Sequence, residues 1–498
     1  MEAIDGIIYG FSVAITPANL LFCFSGVLMG TLVGVLPGIG PAAAISLLLP
    51  STFRADPTSS LIMLAGVYYG AMYGGSTTSI LVNIPGEAAS VITCLDGYQM
   101  ARKGRAGPAL GISAFGSFVA GTLSLIGLLF LAPTLASVAL RFGSPEYFSL
   151  MIMSMTIVTY LSQGSMLKSL MMAALGIILG TVGMDPVTVK LRFSYNILVL
   201  RDGLGLVPVV MGLFGVSEVL MNVKAAMDRD VFETKIKGIL PTLKDWKDSA
   251  FPMVRGTLLG FFMGILPGIG AIIPTFITYG MEKKLSRHPE KFGTGVIEGV
   301  AAPEACNNAA ASGNFIPMLS LGIPANPIMA LFLGALLIYG VQPGPLLIKE
   351  QPGLFWGLIA SMYVGNVMLL VLNLPLISLW VRVLKVPYVI LYPLILLFCL
   401  IGAYSLNNSV GDVVIMCIFG VVGYLMKKFE YDAAPLVLAL VLGPMLEENL
   451  RQTLIISRGN LLVFFSRPLS MIFISVSILV LLFPLFRLRP AAKYRQED

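Results

Sequence analysis

The chain has 498 residues, 57% of them hydrophobic and only 12% charged, with a net charge of +6. A soluble domain carries about a quarter charged residues, so this composition excludes an ordinary water-soluble protein. The five cysteines (Cys23, Cys94, Cys306, Cys399, Cys417) are scattered and the single histidine is His288, which excludes a paired-cysteine metal site and a histidine-based catalytic centre.

The positive charge does not point to nucleic acid, because the basic residues cluster in short segments between apolar runs, as membrane loops do. Charge-free runs cover residues 6–53, 57–86, 106–140, 305–348 and 351–381. A spanning helix needs roughly 20 apolar residues, so several runs are long enough for a helix and a half or a re-entrant hairpin, and about 10–13 membrane-embedded helices are expected. The fold class is an all-α polytopic membrane protein. A membrane barrel would read as short alternating segments, and none are present. The start, Met1-Glu2-Ala3-Ile4-Asp5, lacks the basic region of a cleaved signal peptide, so the first apolar run is expected to stay in the mature protein.

Taken in order, the first half (residues 1–221) opens with an apolar run containing Gly30-Thr-Leu-Val-Gly34-Val-Leu36-Pro37-Gly38-Ile39-Gly40. A polar cluster follows in apolar surroundings: Tyr73-Gly74-Gly75-Ser76-Thr77-Thr78-Ser79, then Asn83 and Pro85-Gly86-Glu87. A hydrophilic connecting segment, 222–255, carries seven basic and five acidic residues and fits a surface helix or loop. The second repeat core, 256–350, then restates the opening motif as Gly260-Phe-Phe-Met-Gly264-Ile-Leu266-Pro267-Gly268-Ile269-Gly270. Its own polar cluster holds Glu304, Asn307, Asn308, Ser312, Asn314 and Asn326. Ordinary apolar runs fill 351–498, ending in a span over 468–486 and then Arg487, Arg489, Lys493 and Arg495.

Equivalent loops of the two halves carry opposite charge. The loop after the first motif has Arg54 alone, whereas its counterpart has Lys283, Lys284, Arg287 and Lys291. Further on, Arg102, Lys103 and Arg105 face a counterpart, 340–345, without a basic residue. The positive-inside rule puts such loops on opposite sides of the membrane, so inverted-topology repeats are expected. The arms beside the second motif, 251–266 and 271–281, are too short to cross and predict a hairpin turning at Pro267. A broken but fully spanning helix is the other arrangement compatible with these lengths.

The motif has definite chemistry. Proline removes a backbone donor, and glycine permits positive φ and close approach. The turn therefore exposes backbone groups inside the membrane, where they persist only against protein, water or a ligand. A helix starting after each turn aims its free N–H groups at it, and such an end binds carboxylate well. Pro37, Gly38, Ile39, Gly40, Pro267, Gly268, Ile269 and Gly270 are accordingly candidate substrate-binding residues, joined by Ser76, Thr77, Thr78, Asn307 and Asn308. Asn83, Glu87, Glu304, Asn314 and Asn326 are candidates for ion coupling, because hydroxyls, amides and carboxylates suit Na⁺ and an intramembrane carboxyl can carry a proton. The same side chains equally serve interhelical hydrogen bonding, and the Gly-xxx-Gly spacings close helix packing. No catalytic residue, metal site or cofactor is indicated.

At Leu36-Pro-Gly-Ile-Gly40, its duplicate at 266–270, and Pro303-Glu-Ala-Cys-Asn-Asn308 with Gly322-Ile-Pro324, the chain resembles the large membrane subunit (the TctA-type permease) of the tripartite tricarboxylate transporter family. The resemblance implies a multi-pass permease of the bacterial cytoplasmic membrane. It implies a small membrane subunit and a periplasmic solute-binding protein as partners, and ion-gradient-driven uptake of citrate or a related carboxylate. Neither the carboxylate, the coupling cation (Na⁺ or H⁺) nor homodimerisation is legible, and a hairpin-lined anion channel without energy coupling is the alternative.

Overall fold

In the computed structural model of the protein, residues 3–36, 40–162, 165–185, 187–222, 238–384 and 388–487 are described. Apart from a two-residue antiparallel pair, β1 (Gly183–Met184) with β2 (Leu191–Arg192), the regular structure among them is helical. Five helices are long and apolar enough to cross a membrane by themselves: Pro17–Val35, Ala106–Ala139, Pro352–Asn373, Val410–Lys428 and Ala433–Ile456. Large apolar side chains such as Ile8, Phe130, Leu258, Phe262, Val371, Val414, Ile418 and Leu479 are exposed on the helix surfaces. A soluble protein rarely leaves such a surface bare, whereas lipid covers it without cost. The protein is an all-α polytopic membrane protein.

The chain begins with α1 (Ala3–Ala14), α2 (Pro17–Val35), α3 (Gly40–Thr52) and α4 (Pro57–Val82). Proline starts α2 and α4 at a position where its missing N–H costs nothing, and the Asp56 carboxylate caps α4 by accepting from Thr58 N at 2.9 Å and Ser59 N at 3.3 Å. Glycines let α2 and α4 touch along their backbones. A Cβ on Gly26, Gly30 or Gly34 would lie 2.1, 2.4 and 2.3 Å from the carbonyl oxygens of Met63, Val67 and Ala71. Both sets climb four residues at a time in the same direction, so α2 and α4 run parallel. The intervening α3, 13 residues and about 20 Å long, must therefore return towards the end from which α2 entered.

A long α5 (Ala106–Ala139) leads into α6 (Ser144–Leu161), α7 (Met166–Gly180) and then α8, a rod built from Leu206–Val210, a π-helical Met211–Val216 and Ser217–Asn222. The glycine geometry then repeats. In α9 (Leu243–Ile265), Gly256, Gly260 and Gly264 meet the carbonyls of Ala302, Cys306 and Ala310 in α11 (Glu298–Gly313), with added Cβ atoms at 2.3, 2.2 and 2.5 Å. These helices are also parallel, and α10 (Ile272–Leu285), 14 residues and about 21 Å long, returns between them. The first arm starts earlier than its apolar run suggests. Thr242 and Asp245 cap each other (Thr242 N to Asp245 Oδ2 3.0 Å, Asp245 N to Thr242 Oγ1 3.2 Å), which draws the charged residues after 242 into the first turns. Of the connecting segment, residues 223–237 lie outside the described residues.

The two hairpins are anchored by different sets of contacts. At the second, Arg105 pairs with Asp245 at 2.5 Å, Lys103 donates to Thr294 O, and Arg255 pairs with Glu282 at 2.6 Å. At the first, Tyr339 donates to Thr52, which lies beside the start of α4 through Ser60. The later helices of seven residues or more are α12 (Phe315–Leu321), α13 (Pro327–Ile338), α14 (Pro352–Asn373), α15 (Ile377–Val383), α16 (Tyr388–Asn407), α17 (Val410–Lys428), α18 (Ala433–Ile456) and α19 (Pro468–Arg487). α14 ties the first repeat to α5: Asn366 accepts from Tyr73 Oη at 3.0 Å and donates to Phe118 O at 2.8 Å.

Candidate functional site: a cavity between the hairpin turns

Helix α4 ends on Asn83 at φ +58 and α12 ends on Gly322 at φ +71, both left-handed terminations at matching points of the two repeats. Each is followed by an extended residue four positions on, Glu87 (φ −142) and Asn326 (φ −160), where the next helical turn begins. The second Pro-Gly turn closes onto this linker. Gly268, at φ +91, donates its N–H to Ala325 O at 2.7 Å. Gly40 (φ +57) and Gly270 (φ +62) occupy the same left-handed conformation at the last position of the two motifs. Pro37, Gly38 and Ile39 lie outside the described residues.

These parts enclose a cavity of about 900 Å³. Residues 40–43, Tyr68, Met72 and 85–89 line it from the first repeat, and 268–273 with 326–328 from the second. Val158, Ser162, Phe214 and Leu438 form further wall, and a polar rim carries Glu218, Lys427, Glu430 and Asp432. Lys427 is paired with Glu218, and Ser162 donates to Asp432 at 2.6 Å. Three helices present their first turns here: α3 at Gly40, α10 at Ile272 and α13 at Pro327, the last capped by Asn326, whose Oδ1 accepts from Met329 N at 2.9 Å. Each N-terminus carries a partial positive charge, in fewer free N–H groups than usual because Pro41, Pro274 and Pro327 have none and Asn326 takes that of Met329, so the floor of the cavity favours an anion without a buried cationic side chain. The sequence pointed to two such ends, and α13 adds a third.

The candidate residues divide between this cavity and the packed interior behind it. Gly40, Gly268, Ile269, Gly270, Glu87 and Asn326 line the cavity. Pro267 precedes the turn without lining the cavity. Ser76, Thr78, Asn307, Asn308, Glu304 and Asn314 are buried behind the wall in a hydrogen-bonded network. Glu304 accepts from Ser76 at 2.5 Å, from Ser113 at 3.0 Å and from Thr93. Asn307 Nδ2 donates to Glu87 Oε1 at 2.6 Å, Asn308 Nδ2 to Ser117 at 2.7 Å and Asn314 Nδ2 to Tyr68 Oη at 3.2 Å. Thr78 donates to Val35 O at 2.7 Å, holding α4 to α2 just before the first turn. Thr77 borders a second, far smaller pocket beside Asn373, and Asn83 is exposed at the helix end.

Sequence reasoning missed Tyr68, Thr93, Ser113 and Asp96. Asp96 is fully buried and accepts from Tyr279 Oη (2.8 Å) and the N–H groups of Gly293 (3.0 Å), Gly295 (2.7 Å) and Val296 (2.9 Å). It fixes the loop that launches α11 and hence the register of Glu304 and Asn307. The available signal was a lone carboxylate in the apolar stretch between Glu87 and Arg102.

Polytopic helices with paired hairpins around an anion-favouring cavity that opens at a polar rim point to a membrane transport protein. Residues 20–438 match the family described as the Tripartite tricarboxylate transporter TctA family, and the chain belongs to it. A similar protein of Agrobacterium vitis, an uncharacterized 52.8 kDa protein in the TAR-I ttuC' 3' region, is 49% identical over 501 residues, covering 100% of both chains. Another from that organism, an uncharacterized protein in the TAR-II ttuC' 3' region, is 52% identical over 211 residues, covering 42% of this chain and 87% of its own. No solved structure matches.

Proposed function

We propose that the protein is the permease of a carboxylate uptake system, moving citrate-like tricarboxylates or related carboxylates across the bacterial cytoplasmic membrane by ion-gradient-driven alternating access. The observation that carries this is that Gly40, the last residue of the first motif, and Gly268, Ile269 and Gly270 of the second line one cavity, where the helices after both motifs begin. Two parallel glycine-packed helix pairs support the repeat, and the opposite charge of equivalent loops supports its inverted topology. The end that holds Arg102, Lys103, Arg105, Arg255, Lys283 and Lys284 is assigned to the cytoplasm by its basic residues. A cavity open to the cytoplasm is supported by its polar rim of Glu218, Lys427, Glu430 and Asp432 and by the basic residues of the segment that follows α8 in the sequence.

A trianion entering against a 100 mV potential faces roughly 7 kcal/mol, so uptake needs cotransported Na⁺ or H⁺ in at least matching number. The partners are a small membrane subunit and a periplasmic binding protein that delivers substrate. The test is uptake of a labelled panel of di- and tricarboxylates by the reconstituted complex, with Na⁺ and pH gradients imposed separately. Saturable accumulation that collapses with one gradient is expected; equilibration without accumulation under every gradient refutes coupling.

A further inference from the structure

The two intramembrane carboxyls are built differently. Glu304 is 1% exposed and sits behind the cavity wall, with hydroxyls of Ser76, Ser113 and Thr93 donating to both of its oxygens. Glu87 reaches the cavity, is 7% exposed, and is met by the Asn307 amide at 2.6 Å, whose own Oδ1 is buried without a partner. Such a pair fits either protonation state: the amide N–H donates to an ionised Glu87, and after an amide flip its carbonyl accepts from a protonated one. The two-fold equivalent of Glu87 is Asn326, which is neutral and already engaged in capping α13. The cavity thus has one titratable group at its repeat-related positions.

We propose that Glu87 exchanges one proton with the water of the cavity while Glu304 keeps a fixed state, so that H⁺ is one of the coupling ions; this rests on the carrier reading given above. The groups facing Glu87 are Tyr68 from α4, Glu304 from α11 and, at the rim, Glu218, Glu430, Asp432 and Lys427. The one lysine among them is occupied by Glu218, so no cation is left to neutralise an ionised Glu87. An anionic substrate sharing the cavity with that carboxylate is repelled, and protonation removes the repulsion. Substrate and proton therefore favour each other's binding reciprocally. In the cycle, an O–H bond forms on Glu87 from a hydronium on the side where substrate enters, and the proton returns to water on the side where substrate leaves.

Infrared difference spectroscopy of the full-length protein in lipid tests this without a substrate. Between mildly acid and mildly alkaline pH, a protonated-carboxyl C=O band that shifts in D₂O is expected in wild type and in Glu304→Gln, and is lost in Glu87→Gln. Retention of the band in Glu87→Gln, or absence of any titrating band in wild type, overturns the assignment. In the complex, wild-type accumulation driven by Na⁺ alone overturns H⁺ coupling while leaving the carrier intact. A titrating Glu87 with no gradient-driven accumulation instead overturns the carrier.

Discussion

Gly268→Ala probes the turn on which the cavity depends. At φ +91 any side chain is strained, and the added Cβ meets Val158 at 2.5 Å from Cγ2, 2.8 Å from N and 3.0 Å from Cα. Gly270→Ala is the matched comparison, with φ +62 and nothing nearer than Asn326 Cβ at 3.9 Å. Both variants bear a left-handed backbone penalty of about 1–2 kcal/mol. Gly268→Ala alone adds overpacking of about 1–3 kcal/mol, because two of its three close contacts are backbone atoms that cannot rotate away. Relief requires the turn to move and stretches the 2.7 Å bond to Ala325 that closes the cavity. At 1.4 kcal/mol per tenfold, Gly268→Ala should retain about 5- to 150-fold less of the observed turn than Gly270→Ala. Uptake normalised to inserted protein should follow that order. Val158→Ala in the Gly268→Ala background removes the Cγ2 contact and leaves the backbone ones, so recovery should be partial. Equal uptake by Gly268→Ala and Gly270→Ala, with equal insertion, would refute the steric reasoning.

Three further outcomes are expected. Gly260→Ala drives a Cβ to 2.2 Å from Cys306 O and should lower the thermal midpoint in detergent by separating α9 from α11, whereas Gly280→Ala, with nothing within 4 Å, should leave it unchanged or raise it. Glu304→Ala orphans the hydroxyls of Thr93 and Ser113, a loss of about 2–6 kcal/mol at about 1–3 kcal/mol each, and should destabilise more than Glu87→Ala, which deprives one amide; the reverse order in thermal melts would argue against the network. At the extramembrane hairpin, hydrogen bonding from Thr188, Arg192, Val187 N and Arg451 holds the Asp185 carboxyl well below the usual carboxylate range. A carboxyl lowered on folding adds stability above its unfolded value of about 3.9, and that stability is lost as pH falls towards the folded value. Hydrogen exchange across 183–192 should therefore stay slow at neutral pH and quicken in strong acid, and Asp185→Asn should quicken it at neutral pH.

Much was already legible in the sequence. Low charge with long apolar runs leaves helices as the open-ended structure that satisfies its backbone in lipid, and the duplicated Leu-Pro-Gly-Ile-Gly marks where those helices break. Proline and glycine act locally, so the turn at Gly268 and the left-handed Gly40 and Gly270 could be anticipated from residue type alone. Tertiary packing decided the rest. Both clusters read as polar residues in apolar sequence, yet Glu87 reaches the cavity and Glu304 does not, because α11 lies against α4 in a register set by Asp96 and the glycine contacts of α9. Asp96 itself looked unremarkable, since its partners stand nearly 200 positions away in Tyr279, Gly293, Gly295 and Val296. Composition and local stereochemistry set what each segment can be, but which side chain meets water is fixed by contacts between segments far apart in the chain.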